Sequence, residues 1–262
     1  MKSISILGSG WLGLPLARHF IEAGYSVKAS TTSESQIANL KSIGANPFIV
    51  NIDSLADNVR DFLRSNTLIV NIPSKSIGGF RKLIDRIENS EIRNILFVSS
   101  TSVYDNKRRT LTESDTGCYT ESALLDIEDL FQNCTETKTT IVRFGGLIGY
   151  GRNPGHFFNP NRVVQNPDSP VNLIHRDDCI GIIGQIVRQQ VWGEILNCCA
   201  DTHPTKMEFY TRAISLAGGI LPEFGESDSN SGKIISNHKV KQLLNYEFIH
   251  PDLMKIEFNE NA

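Results

Sequence analysis

Residues 3–13, Ser-Ile-Ser-Ile-Leu-Gly-Ser-Gly-Trp-Leu-Gly, constrain the fold of this chain more than any other stretch. A short β-branched run ends in Gly8, Gly10 and Gly13, and a helical pattern begins at once. Strand, G-x-G-x-x-G turn and helix in that order form a dinucleotide-binding fingerprint. Gly8 permits the tight turn, Gly10 lets backbone approach a pyrophosphate, and Gly13 lets helix pack close on strand. The helix N-terminus offers free N–H groups and a partial positive charge to phosphates. Ser9, Trp11 and Leu12 complete the loop as candidate cofactor contacts.

Strand and helix signals alternate from this point. Strands are expected at Ile4–Leu7, Ser26–Ser30, Pro47–Ile52, Thr67–Ile72, Asn94–Ser99 and Thr139–Phe144. Helices are expected at Leu12–Ala23, Ser33–Ile43, Leu55–Leu63, Phe80–Ile87 and Tyr119–Phe131, several closed by a glycine. Near-continuous apolar strands between helices predict an α/β fold, a Rossmann-type doubly wound parallel sheet covered on both faces. Gly145–Asn172 is rich in Gly, Pro and Asn and lacks periodicity. Asp177–Gln190 returns to helix and Glu194–Cys198 to strand; Pro204–Ala217 and Asn237–Leu244 read as later helices. The expected division is a dinucleotide-binding domain of 1–145 plus about 173–200, interleaved with a small substrate lobe of about 146–172 plus 201–262.

The 262 residues are 40% hydrophobic, enough for a full core. With 26 Lys and Arg against 29 Asp and Glu, the balance gives no reason to expect nucleic acid as a partner. No apolar run approaches the length of a membrane span, and the N-terminus enters a strand without signal-peptide character, so a cytoplasmic protein is expected. Five scattered cysteines form no C-x-x-C pair and read as reduced thiols. No metal site is expected, because the histidines are scattered and no carboxylate cluster accompanies them.

The residue ending strand two faces the adenosine ribose in such a unit, and an acidic one there favours NAD. That position, eighteen residues after Gly13, is Thr31, followed by Thr32 and Ser33; the first carboxylate is Glu34. Hydroxyls can donate to a 2′-phosphate where a carboxylate would repel it, so NADP is favoured over NAD. No arginine stands in the stretch, Lys28 points elsewhere within strand two, and Ser33 has an alternative role as a helix cap. Asn51, Ile72 and Pro73, at the ends of strands three and four, are further candidate cofactor residues.

Leu-Phe-Val-Ser-Ser-Thr-Ser-Val-Tyr at 96–104, Arg-Phe-Gly-Gly-Leu-Ile-Gly-Tyr-Gly-Arg at 143–152 and Val-Asn-Leu-Ile-His-Arg-Asp-Asp at 171–178 resemble the extended short-chain dehydrogenase/reductase superfamily, its nucleotide-sugar epimerase/dehydratase group. With Asn-Ile-Pro-Ser at 71–74 and His-Pro-Thr at 203–205, the chain more narrowly resembles the atypical, YeeZ-like NAD(P)-dependent epimerase/dehydratase branch. The resemblance covers nearly the whole chain and implies a small-molecule substrate, with a homodimer as one assembly. It implies that Ser100 orients a substrate hydroxyl or carbonyl and that a Tyr-x-x-x-Lys motif supplies the proton. A free phenol ionises near pH 10, and the lysine's charge favours its phenolate.

The segment that answers to this motif is Tyr119-Thr-Glu-Ser-Ala123: Tyr119 and Ser122 match, but the lysine is Ala123. Read as one helix, the two positions share a face. Three readings stay open: another cation serves, with the Lys107-Arg108-Arg109 loop the nearest; Tyr104 or the substrate itself replaces Tyr119; or nothing is turned over. The leading expectation is therefore an NAD(P)-dependent oxidoreductase or epimerase acting on a small polar carbonyl or hydroxyl compound, a nucleotide-sugar among them. The alternative is a non-catalytic dinucleotide-binding sensor. A 6-phosphogluconate-dehydrogenase-like fold is disfavoured by the late strands. Arg152, His156 and Asn172 are candidate substrate contacts, and Asp177 and Asp178 read as helix caps.

Overall fold

The computed structural model describes residues 2–157, 159 and 162–258. In chain order it runs β1 (Ser3–Leu7), α1 (Gly13–Glu22), β2 (Ser26–Thr31), α2 (Ile37–Ser42), β3 (Asn46–Ile49), α3 (Val59–Phe62), β4 (Thr67–Val70), α4 (Ile77–Glu88), β5 (Asn94–Ser100) and β6 (Thr110–Leu111). Then follow α5 (Ala123–Gln132), β7 (Lys138–Phe144), β8 (Gly146–Ile148), β9 (Leu173–His175), α6 (Arg176–Gln189), β10 (Ile195–Cys198), α7 (Lys206–Leu216), β11 (Ile234–Ile235) and α8 (His238–Leu244). Seven strands form one sheet in the order β10-β7-β5-β4-β1-β2-β3. This is the doubly wound order that the alternating pattern predicts, with its reversal beside β1.

The register brings three strand ends to one edge. Ile6 pairs with Ala29 of β2 and Leu7 with Val70 of β4, all parallel. The turns after β1, β2 and β4 therefore leave the sheet side by side, where ligands bind in open α/β sheets. β1 and β4 hold apolar side chains inward on both faces: Ile4, Ile6, Leu68, Ile69 and Val70 are buried. Phe97 of β5 stacks on Phe131 of α5 at 4.9 Å, and Phe80 of α4 meets Phe131 edge-on at 5.6 Å. Burial of each such ring contributes about 2–3 kcal/mol.

The chain divides into two units: Met1–Ser99 with Glu121–Val142 and Ile180–Ile195, and Ser100–Thr120 with Arg143–Cys179 and Leu196–Ala262. The second carries two small parallel pairs, β6 with β11 and β8 with β9. Its own apolar cluster joins Ile148, Val171, Leu173, Phe209, Leu253 and Ile256. α7 begins with a capping box, Thr205 Oγ1 accepting from Glu208 N–H while the Glu208 carboxylate accepts from Thr205 N–H.

Several boundaries differ from expectation. The helix expected over Ser33–Ile43 is a 3₁₀ turn at Glu34–Gln36 followed by α2, and that over Leu55–Leu63 shrinks to the single turn of α3. Ahead of the latter, the Asn51 side chain accepts from Asp53 N–H and starts a separate 3₁₀ turn at Ile52–Ser54. The segment after 145 holds β8 rather than irregular chain alone. Among the described residues no helix is long and apolar enough to cross a membrane.

Candidate functional site

The glycine loop is built as its sequence requires. Gly8 has φ +98°, and a Cβ there would stand 2.4 Å from Asn71 O. A Cβ on Gly13 would stand 1.9 Å from Gly8 O, so the first turn of α1 packs directly on the loop backbone. A Cβ on Gly10 meets nothing within 4 Å, leaving its backbone open to an incoming phosphate. Gly8 N–H donates to Ser30 Oγ at 3.0 Å, Ser9 N–H to Ser30 O at 2.9 Å, and Asn71 Nδ2 to Gly8 O at 3.3 Å. The loop is thus fixed from the ends of β2 and β4 before any ligand arrives. These features fit a dinucleotide pyrophosphate. Leu12 is buried, Trp11 half-buried, and Ile72 packs on the core beside exposed Pro73.

Thr31 closes β2, and its Oγ1 accepts from Ser33 N–H at 3.1 Å. Ser33 caps no helix with its side chain; its hydroxyl pairs with Ser35 Oγ at 2.8 Å, and Thr32 and Ser33 are exposed. Lys28 is turned away, its ammonium donating to Asp61 O and, at 2.7 Å, to Arg64 O.

Ser100 ends β5, half-exposed, with its Oγ accepting from Ser102 N–H at 3.1 Å. Tyr119 is not on a helix. Its backbone is extended (φ −88°, ψ 151°) and bridges antiparallel to Tyr104; α5 begins only at Ala123, with Ser122 as its N-cap. The expected shared helix face of positions 119 and 123 is therefore wrong, because Ser122 accepts from Leu125 N–H and starts the helix after the tyrosine.

The cation at the tyrosine comes from β7. Arg143, only 1% exposed, donates from Nη1 to Tyr119 Oη at 3.0 Å and to Tyr104 Oη at 2.8 Å. Its guanidinium carbon also lies 4.8 Å and 5.0 Å from the two ring centroids, so π faces help compensate a buried charge. Tyr104 is fully buried, and its hydroxyl reaches Asn197 Oδ1 at 3.0 Å and Thr112 O at 3.2 Å. Burial pushes its phenol above the usual range against the opposing pull of Arg143, so it stays a neutral donor. The loop Lys107-Arg108-Arg109 plays a different part: Asp105 takes a two-pronged contact from Arg109, at 2.7 and 2.6 Å, and Lys107 at 3.7 Å.

Of the candidate substrate residues, Arg152 and His156 are exposed in the turns after β8. Asn172 is spent on backbone: Nδ2 donates to Lys233 O and Oδ1 accepts from Ile235 N–H, which stitches β11 in place. Neither aspartate caps α6 by the expected route. Asp178 accepts from Tyr246 Oη, Ile249 N–H and His250 N–H. Asp177 accepts from Tyr150 Oη at 2.9 Å and lies 3.2 Å from both His175 Nδ1 and His250 Nε2. Burial and the neighbouring His250 push His175 down to about 4, so its ring is neutral at pH 7. Two of the six histidines that look scattered in sequence, His175 and His250, therefore meet in space.

Sequence reasoning passed over Arg143, although a charge inside the run Thr-Thr-Ile-Val-Arg-Phe at 139–144, expected as a buried strand, was a usable signal. It also passed over His250, which nothing local distinguishes.

No protein-family model matches the chain. Protein YeeZ of Escherichia coli (strain K12) is 31% identical over 268 residues, covering 96% of this chain and 97% of that protein. UDP-glucuronic acid 4-epimerase from Bacillus cereus, solved in complex with NAD, shares the fold at TM-score 0.76 and 15% identity, over 94% of this chain and 93% of its own. A short-chain dehydrogenase/reductase superfamily protein from Agrobacterium tumefaciens with bound NAD gives TM-score 0.75 at 15% identity, over 94% and 92%. Relative and fold agree: the chain belongs to the YeeZ family, built on the extended short-chain dehydrogenase/reductase fold.

Proposed function

We propose that this chain binds a nicotinamide dinucleotide at Gly8–Gly13 and performs oxidoreductase or epimerase-type chemistry on a small polar carbonyl or hydroxyl compound. The observation that carries this reading is the glycine loop, closed to any Cβ at positions 8 and 13 and open at position 10. The fold neighbours were solved with NAD, and one is a UDP-glucuronic acid 4-epimerase, which makes a nucleotide-sugar the first substrate class to try. NADP is favoured over NAD because Thr31, Thr32 and Ser33 put hydroxyls and no carboxylate at the end of β2.

When bound, the nicotinamide supplies the hydride donor or acceptor. Ser100 holds the substrate oxygen; its Oγ accepts from Ser102 N–H, which leaves its own proton to donate. Tyr119 gives its Oη proton to that oxygen in the reducing direction and recovers it in the oxidising one. Arg143 supplies the positive charge at Oη that Ala123 cannot. Tyr104 is an unsuitable substitute, since its hydroxyl is buried and held by Asn197 and Thr112. Arg152 and His156, exposed, are the proposed substrate contacts.

Ala123 favours a second reading, a sensor that binds dinucleotide without turnover. Titration with NADPH and NADH, followed by nicotinamide fluorescence, tests the first step. Micromolar binding with NADPH preferred supports the proposal, and failure to bind either ends it. A screen of nucleotide-sugars and small carbonyls with the preferred cofactor then separates enzyme from sensor.

A further inference from the structure

We propose that His175, Asp177 and His250 bind one divalent transition-metal ion of the zinc class. His175 ends β9, Asp177 lies in the first turn of α6, and His250 follows α8. Asp177 Oδ2 stands 3.2 Å from His175 Nδ1 and 3.2 Å from His250 Nε2, and the three ligand atoms lie within 4.8 Å of one another. Zinc bonds of about 2.0–2.1 Å in a tetrahedron set donors roughly 3.3 Å apart. Both contacts to the carboxylate already have that spacing, and a small turn of the two rings would bring their nitrogens to it.

His250 Nε2 meets the Asp177 carboxylate alone, whereas His175 Nδ1 meets two groups with opposite demands. Nδ1 of His175 lies 3.3 Å from Asp177 N–H, a contact that requires a bare lone pair, and 3.2 Å from the Asp177 carboxylate, which requires a proton. One nitrogen cannot satisfy both. A bare lone pair facing a carboxylate is repulsive unless positive charge lies between them. A metal ion supplies that charge, with the long N–H contact given up.

The surroundings suit such a site. Gly149 has φ +110°, and a Cβ there would stand 2.5 Å from His175 Nε2, so glycine makes room for the ring. The His250 ring packs against it, centroid to centroid at 3.9 Å. Tyr150 Oη donates to the Asp177 carboxylate, the outer hydrogen bond that orients a ligating group. The nearby like charge, Arg176, is held over the Tyr150 ring at 4.1 Å. Asp177 and His250 are 29% and 28% exposed, which gives an ion a path in. Two imidazoles and one carboxylate select zinc-like ions over calcium or magnesium and leave a position for water.

The test uses untagged full-length protein stripped with chelator. Calorimetry with Zn²⁺ should give one ion per chain at low-micromolar affinity or tighter, and Co²⁺ should develop visible ligand-field bands. His250→Ala and Asp177→Asn should each weaken binding by more than about 100-fold, and Tyr150→Phe by about 10-fold. Far-UV circular dichroism confirms that each variant is folded, and His250→Gln serves where His250→Ala is not. Absence of binding at millimolar Zn²⁺, or equal affinity in the folded His250 variant, overturns the assignment and leaves a hydrogen-bonded cluster only.

Discussion

Arg143 Nη1 donates to Tyr119 Oη at 3.0 Å, from a guanidinium that is 1% exposed. A buried cation is retained only where partners compensate it, and here two phenols do so. The arrangement replaces a charge on the next helical turn with one from a neighbouring strand. It removes the main objection to Tyr119 as a proton donor, which was Ala123.

Arg143→Met should therefore cut turnover by about 100-fold or more and lower the unfolding midpoint, since two phenol oxygens lose their donor. Tyr119→Phe should abolish turnover and cost about 1 kcal/mol, since Arg143 loses one acceptor. Tyr104→Phe should cost more, about 1–3 kcal/mol because Arg143 and Asn197 both lose a partner, with turnover kept within a few-fold. Steady-state rates on a substrate found by screening, paired with denaturant unfolding, check all three. Full activity in Tyr119→Phe would remove the assignment.

The glycine loop separates stability from binding. Gly13→Ala drives a Cβ to within 1.9 Å of Gly8 O, so it should destabilise the protein and abolish NADPH binding together. Gly10→Ala meets no atom within 4 Å, so its unfolding midpoint should match the parent while NADPH affinity falls by about 10-fold or more. Unchanged affinity in Gly10→Ala would show that no phosphate approaches that backbone.

The sheet was legible in sequence because parallel strands buried on both faces leave continuous apolar runs, such as residues 68–70 and 95–98. The glycine loop was legible because its constraint is local: positive φ at Gly8 and close approach at Gly13. The tyrosine segment was misread because Tyr119 and Ala123 have helical spacing, although Ser122 before the apolar run was the better start signal. The pairing of Thr110 with Ile234 involves strands of two residues, too short to show a period. Arg143 at Tyr119, and His250 at His175, are products of chain topology, and no local pattern encodes such meetings.

His203 gives the protein an acid-sensitive contribution. Burial lowers its folded-state value, partly offset by the Val171 carbonyl near Nδ1 at 3.3 Å. The unfolded chain, near 6.5, then binds the proton more readily than the folded one, so stability is lost as pH falls below about 6.5. His175, lowered to about 4, has the same sign. With chelator present, the unfolding midpoint should be flat from about pH 8 to 7 and fall towards pH 5. His203→Gln, which keeps an N–H donor, should make that fall shallower without removing it. An identical slope in the variant would assign the effect elsewhere.

Asp178 ties the start of α6 to the segment after α8. Its Oδ1 accepts from Tyr246 Oη at 3.0 Å and Ile249 N–H at 2.6 Å, and its Oδ2 from His250 N–H at 3.0 Å. The side chain is fully buried, and burial raises its carboxyl above the ordinary range while these three donors pull it back. Asp178→Asn sets an amide N–H₂ against one of the donors, so it should cost about 2–4 kcal/mol. Tyr246→Phe removes one bond and should cost about 1 kcal/mol. Because Tyr246 has less to lose once the carboxylate is gone, the double variant should cost less than the sum by roughly 0.5–1 kcal/mol. Denaturant unfolding of the four proteins gives the coupling directly. Additive costs would mean that the two side chains act independently and that the latch owes its stability to the backbone donors alone.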